Sequence, residues 1–207
     1  GKTTLIKLLC GFYKPHQGYI TFDGKDINEL GQRKILENIS AVFQDFVLYN
    51  IPAIDNLALG DIKKIPDKER IRKAAQAAGI DDVLDRLPHG YDTLLGNLFK
   101  GGEELSIGQW QKMAVARAFY RDAPLLLMDE PASALDAASE LQMIKSLQQL
   151  SSNKTAVIVS HRLTTIQWAD LIYLFHEGEI VESGDHKELM ALKGKYFDLF
   201  QTVNSRM

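Results

Sequence analysis

The chain has 207 residues, 45% of them hydrophobic and 25% charged, enough for a sizeable core in one large domain or a domain with a subdomain. A formal net charge of −3 gives no electrostatic ground for nucleic-acid binding, which favours a basic patch. The single cysteine, Cys10, excludes an internal disulfide framework and suits a reducing compartment, and no apolar run approaches the roughly 18–20 residues of a membrane span, so this piece alone is expected to be soluble.

The chain opens on "GKTT", followed by "TLIKLLCGF", whose apolar residues fall at helical spacing and stop at Gly11. Cys10 sits among Ile6, Leu8 and Leu9, which reads as a small buried apolar position. "GYITFDGKDI" alternates apolar and polar residues around Asp23-Gly24, the pattern of a short hairpin. "ISAVFQD" is a buried strand candidate, and "VLYNIPAIDNLALG" reads as loop and short helix. From Pro66 to Leu87 the composition turns to Ala and charge, favouring helices with one buried face. "LGNLFKGGEE" is a glycine-containing loop, and "SIGQWQKMAVARAFYRD" a second helix. Strand and helix then alternate: "PLLLMDE", "ASELQMIKSLQQL", "TAVIVS", "TTIQWA", "LIYLF", and a hairpin in "GEIVESG". Near-continuous apolar strands alternating with helices predict an α/β fold, a mostly parallel sheet covered on both faces. The helical stretch of about 55–120 is expected to be an insertion into that core. The chain shows neither internal repeats nor low-complexity segments.

Three short motifs carry chemistry. "GKTT" fits two readings: an ordinary helix start, or the end of a phosphate-binding loop. In the second, backbone N–H groups at the helix N-terminus cradle phosphates, Lys2 reaches the β/γ-phosphates and the Thr3 hydroxyl coordinates Mg²⁺. "LLLMDEP" ends an apolar strand in two carboxylates, placing Asp129 and Glu130 where α/β proteins hold ligands. Asp129 suits a metal held through water, and Glu130 suits polarising an attacking water. The alternative is two solvated carboxylates at a strand end. In "ELSIGQWQK", Ser106 and Gln109 form an S-x-x-Q capping box, and Gly108 leaves backbone N–H groups unshielded, so the helix start is prepared either for an anion or simply as a cap.

In the order "GKTT", Gln44, "LSIGQ", "LLLMDEP", "SALD" and "SHR", the chain resembles the nucleotide-binding domain of ABC transporters over essentially its whole length. The wording around these motifs, including "AVFQDFVLY", "HRLTTIQWAD" and "GEIVESGDHKELM", is similar to the exporter branch. The resemblance implies a P-loop NTPase-type sheet flanked by helices with an inserted helical subdomain, and an ATPase using ATP and Mg²⁺. It also implies positions for the chemistry. Gly1, Lys2, Thr3 and Thr4 would bind phosphates, with Thr3 also on the metal. Gln44 would contact Mg²⁺ and the attacking water, Asp129 would be the metal-side carboxylate, and Glu130 the catalytic base. His161 would hydrogen-bond the γ-phosphate, whereas His16, His89, His176 and His186 take structural readings. Ser106, Gly108 and Gln109 would face the nucleotide of a second subunit, and Asp136 would lie in the loop crossing a head-to-tail dimer interface.

Further expectations follow from the same resemblance. A membrane domain, usually fused upstream, is the expected partner at the cytoplasmic face of the membrane, and "FQDFVLYN" its contact. Phe43, Phe46 and Tyr49 then read either as interface anchors or as local core. The half-motif at the start, without its leading strand and glycines, reads as a partial sequence; no residue takes the adenine-stacking role, and the fragment is expected to bind ATP poorly. Two positions depart from the family pattern: Ile107 stands where Gly is usual, a restricted and bulkier backbone position, and Ala132 where Thr is usual. A soluble ABC ATPase acting on DNA or ribosomes, and a non-hydrolytic dimerisation module, are the alternatives. The short spacing from Gln44 to the signature and the presence of both Glu130 and His161 argue against them.

Overall fold

The computed structural model describes residues 1–150 and 154–204. Helix α1 (Lys2–Leu9) follows Gly1 and stops where Gly11 takes a left-handed φ of +70°. Its buried Ile6, with Cys10, packs against Ile27, Ile35, Ile39, Leu127 and Val159. Burial lifts the Cys10 thiol to about 11. Strands β1 (Thr21–Phe22) and β2 (Lys25–Asp26) form the expected hairpin. Asp23 and Gly24 both have positive φ, +48° and +78°, the condition for the tight turn whose twist matches the strands. The Asp26 carboxylate caps α2 (Ile27–Leu30), and α3 (Gln32–Glu37) leads into β3 (Ile39–Val42).

A helical block follows, comprising α4 (Ala53–Ala58), α5 (Lys68–Ala78), α6 (Asp81–Asp85) and α7 (Ile107–Arg121). Asp67 accepts from the N–H groups of Glu69 and Arg70 to start α5. The buried face of α5 is Ile71, Ala74, Ala75 and Ala78, the i, i+3, i+4, i+7 stripe of an amphipathic helix. That stripe packs along α7, and Leu57, Trp110, Met113, Val115, Leu126 and Met128 share the same core cluster. Helix α7 therefore serves both the helical block and the sheet. Its last residue, Arg121, anchors it to the entrance of β3 by donating to the carbonyls of Ile39 and Leu36, both at 2.6 Å.

The rest of the chain forms β4 (Leu125–Asp129), α8 (Ala137–Leu150), β5 (Thr155–Val159), α9 (Leu163–Ile166), β6 (Ile172–His176), β7 (Glu179–Gly184), α10 (His186–Leu192) and α11 (Lys195–Asn204). Strands β3, β4 and β5 make a parallel sheet with β4 central. β4 is buried along almost its whole length, which is why its sequence is continuously apolar until Asp129. Two expectations change. "LIYLF" forms β6, which pairs antiparallel with β7 as the first arm of the hairpin; among the described residues it does not join the parallel sheet. "TTIQWA" is helical only through Ile166, and Trp168 lies outside it, 56% exposed. His186 is structural: its Nδ1 lies 2.9 Å from the Tyr196 hydroxyl, beside Phe200.

Candidate active site

The carboxyl ends of three adjacent parallel strands converge. In register, Val42 of β3 pairs with Met128, and Asp129 pairs with Val159 of β5. Gln44 lies two residues beyond β3, Glu130 one beyond β4, and His161 two beyond β5. Right-handed parallel connections put such ends on one edge, where α/β proteins bind ligands. Four of the residues singled out in the sequence thus share one rim.

Asp129 is 2% exposed, and its Oδ2 is a fully buried acceptor with no hydrogen-bond partner among the described residues. A buried, unpaired carboxylate oxygen is costly, so the site suits a group that would satisfy it. Mg²⁺, which prefers oxygen donors and keeps several waters, fits a lone buried carboxylate oxygen of this kind.

Glu130 adopts φ +52°, a left-handed conformation uncommon for a residue with a side chain and frequent at functional sites. Its surroundings hold it there. Its N–H donates to the Val159 carbonyl at 2.9 Å, and its own carbonyl accepts from Gln111 Nε2 at 3.1 Å. The carboxylate is largely buried, and its Oε2 lies 2.7 Å from Nδ1 of His161, whose ring is mostly exposed. The acid and the imidazole read separately in the sequence are in direct contact.

Ser106 and Gln109 form the expected capping box. Gln109 N–H donates to Ser106 Oγ at 3.3 Å, and Ser106 N–H donates to Gln109 Oε1 at 2.8 Å. Gly108 has a second reason to be glycine: a Cβ there would stand 2.8 Å from the Ala134 carbonyl oxygen. Ile107, the neighbouring position, is 61% exposed. Ala132 is buried in the core at 3% exposure, packed among apolar residues. Asp136 accepts from Ser139 N–H and hydroxyl, each at 2.9 Å, starting α8; these bonds and Lys112 hold its carboxyl below the usual range. Lys2, Thr3 and Thr4 are exposed at the start of α1, and Gly1 provides no side-chain cap.

Three residues escape a reading of the sequence. Gln111, 1% exposed, binds Glu130, Ser133 and Ala134. Arg162 pairs with buried Glu140 at 2.6 Å and donates to the carbonyls of Ser133 and Leu135 at 3.3 and 3.1 Å. Glu140 also accepts from the hydroxyls of Thr164 and Thr165. Among Phe43, Phe46 and Tyr49, the two phenylalanines pack partly into core clusters, and Tyr49, 39% exposed, lies beneath the Arg117 guanidinium.

The family model described as "ABC transporter" matches residues 1–133. The chain belongs to the ABC transporter family. Among ABC relatives, an ATP-dependent lipid A-core flippase of Ralstonia nicotianae is 43% identical over 96% of this chain and 33% of its own length. A multidrug resistance protein 1 of Entamoeba histolytica is 43% identical over 96% of this chain and 15% of its own. The ABC transporter B family member 28 of Arabidopsis thaliana is 41% identical over 98% of this chain and 28% of its own. In three dimensions the chain is similar to a bacterial Atm1-family ABC exporter solved with ATP bound, with a TM-score of 0.89 and 35% identity over 98% of this chain and 34% of that one. The chain thus spans about a third or less of these ABC proteins, and within them it corresponds to the ATPase.

Proposed function

We propose that this domain hydrolyses ATP to drive export through a membrane domain, and that its base is Glu130. The observation that carries the proposal is the contact of Glu130 with His161 at a rim shared with Asp129 and Gln44. In the proposed reaction water attacks the γ-phosphorus, the β–γ bridging P–O bond breaks, and Glu130 takes the water's proton. His161, whose Nδ1 lies against the Glu130 carboxylate, would give its N–H to a γ-phosphate oxygen when nucleotide is bound. Lys2, with the backbone from Gly1 to Thr4, would bind the β- and γ-phosphates. Thr3, Gln44 and Asp129 would hold Mg²⁺, which supplies charge neutralisation of the phosphates when bound.

The reading extends to assembly. Ser106, Gly108 and Gln109 would serve the ATP of a second ABC domain arranged head-to-tail, with Asp136 in the loop at that interface. Residues of about 55–120 would form the helical subdomain inserted in the α/β core. Phe43, Phe46 and Tyr49 line a groove of about 420 Å³ with Arg117 and Arg121, which we assign to the membrane domain. No helix among the described residues is long and apolar enough to cross a membrane, so the spans would belong to that partner, with this domain at its cytoplasmic face. The names of the relatives, a flippase and multidrug resistance proteins, support export over action on DNA or ribosomes.

The test is Glu130→Gln in the full-length protein. General-base catalysis supplies about 10²–10⁴-fold, so turnover should fall by at least about 100-fold while ATP still binds. Steady-state hydrolysis like that of the wild type would remove Glu130 from the role of base.

A further inference from the structure

Gln111 sits among buried apolar neighbours on α7, including Trp110, Met113 and Ala114. Packing alone would favour an apolar residue there, since a buried amide is costly unless fully bonded. The amide meets that cost through three bonds reaching one segment. Nε2 donates to the Glu130 carbonyl at 3.1 Å and to Ser133 Oγ at 3.0 Å, and Oε1 accepts from Ala134 N–H at 2.9 Å. Glu130 has a left-handed φ of +52°, and such strain persists only when surrounding bonds over-determine it. Gln111 supplies one of the two bonds to its carbonyl, the other coming from Ser133 N–H at 3.2 Å, while β5 supplies the one to its N–H.

We propose that Gln111 is a positioning residue for hydrolysis, fixing the backbone of Glu130 and of Ser133–Ala134 to the signature helix. The proposal rests on the reading of Glu130 as base. Because α7 begins at Ser106–Gln109, the helix that would face one nucleotide and the base that would serve the other are joined through a single side chain. Gln111 is 1% exposed and its three bonds all go to the segment from Glu130 to Ala134. Its effect runs through the placement of the carboxylate, and a displacement of about 1 Å at a reacting group can cost about 100-fold.

The experiment measures steady-state ATPase against ATP concentration in the full-length protein carrying Gln111→Met, which keeps the volume and removes all three bonds. The expected result is a fall in kcat of about tenfold or more with KM for ATP within about threefold, per folded protein counted by nucleotide binding. A kcat within about twofold of wild type, or a loss confined to KM, would overturn the proposal. Should Gln111→Met fail to fold, Ser133→Ala removes one of the three bonds at an exposed residue, and a kcat lowered about threefold at unchanged KM is expected. An unchanged kcat there overturns the proposal equally. Glu130→Gln separates the two levels. If that variant is as active as wild type, the reading of the site fails; if it is inactive while Gln111→Met is active, only the role of Gln111 fails.

Discussion

Replacing Arg162 with Met isolates the energetics of the buried pair behind His161. The Glu140 carboxylate is 5% exposed and the Arg162 side chain 26%, with 2.6 Å between them. Breaking a buried pair by removing one partner costs roughly 3–5 kcal/mol, because the remaining charge stays desolvated. The partial exposure of Arg162, and the two threonine hydroxyls that remain on Glu140, put Arg162→Met near the lower end, about 3 kcal/mol. For a domain of this size, each kcal/mol moves the melting temperature about 2–4 °C, so a fall of about 6–12 °C is expected by calorimetry.

The deficit should also depend on pH. In the wild type, burial pushes the Glu140 pKa up, and the bonds from Thr164, Arg162 and Thr165 outweigh it, leaving the carboxyl below its ordinary value of 4.5. A carboxyl held low in the folded state contributes stability above its unfolded pKa and loses it as pH falls through the folded value. Without Arg162 the burial push dominates, Glu140 protonates more readily, and the gap between variant and wild type narrows as pH drops below about 5. The double variant Arg162→Met, Glu140→Leu removes both charges and should recover most of the lost stability. A single variant within about 1 kcal/mol of wild type, or a double variant no better than the single, would refute this account of the pair.

Other expectations are simpler. Ile107→Gly should leave hydrolysis unchanged or raise it in the full-length protein, since the side chain is exposed and supports no core contact; a large loss would show that Ile107 is required. Gly108→Ala should slow hydrolysis and lower stability by about 1–3 kcal/mol through overpacking against the Ala134 carbonyl; normal activity and melting would refute the steric reading. Cys10 keeps its proton to about 11 when folded, against 9.0 for an ordinary thiol. Stability should therefore fall as pH rises between those values, by at most about 1.4 kcal/mol per pH unit, and native Cys10 should resist alkylation at pH 8. Rapid labelling without unfolding would contradict its burial.

Legibility follows the range of the interactions. The hairpin at Asp23-Gly24, the capping box of Ser106 and Gln109, and the strand ending at Asp129 are readable because each depends on residues a few positions apart. The rim of Gln44, Asp129, Glu130 and His161 is readable because the carboxyl ends of parallel strands meet by topology. Gln111 and Arg162 are not, since their partners lie about twenty residues or more away and a polar residue in a helix or loop usually faces water. The usable signal for Gln111 is its place within a run of buried positions on α7, where a solvated amide does not fit. The left-handed backbone of Glu130 leaves no mark in the sequence, because two of the three bonds that hold it come from distant elements, β5 and α7, and only the third from nearby Ser133.

The same contacts explain why two neighbouring signature positions tolerate different residues. Gly108 faces inward: the Ala134 carbonyl comes so close that any Cβ would displace either α7 or the segment after Glu130. That segment has little freedom to yield, since Gln111 holds Ser133 and Ala134 from one side and Arg162 holds Ser133 and Leu135 from the other. Ile107 is 61% exposed, so most of its bulk lies in solvent and the departure from glycine disturbs little of the domain's packing. An effect of Ile107 on assembly is expected at the surface that a second domain would cover. A change at Gly108, by contrast, acts within its own chain, through the loop that carries Glu130.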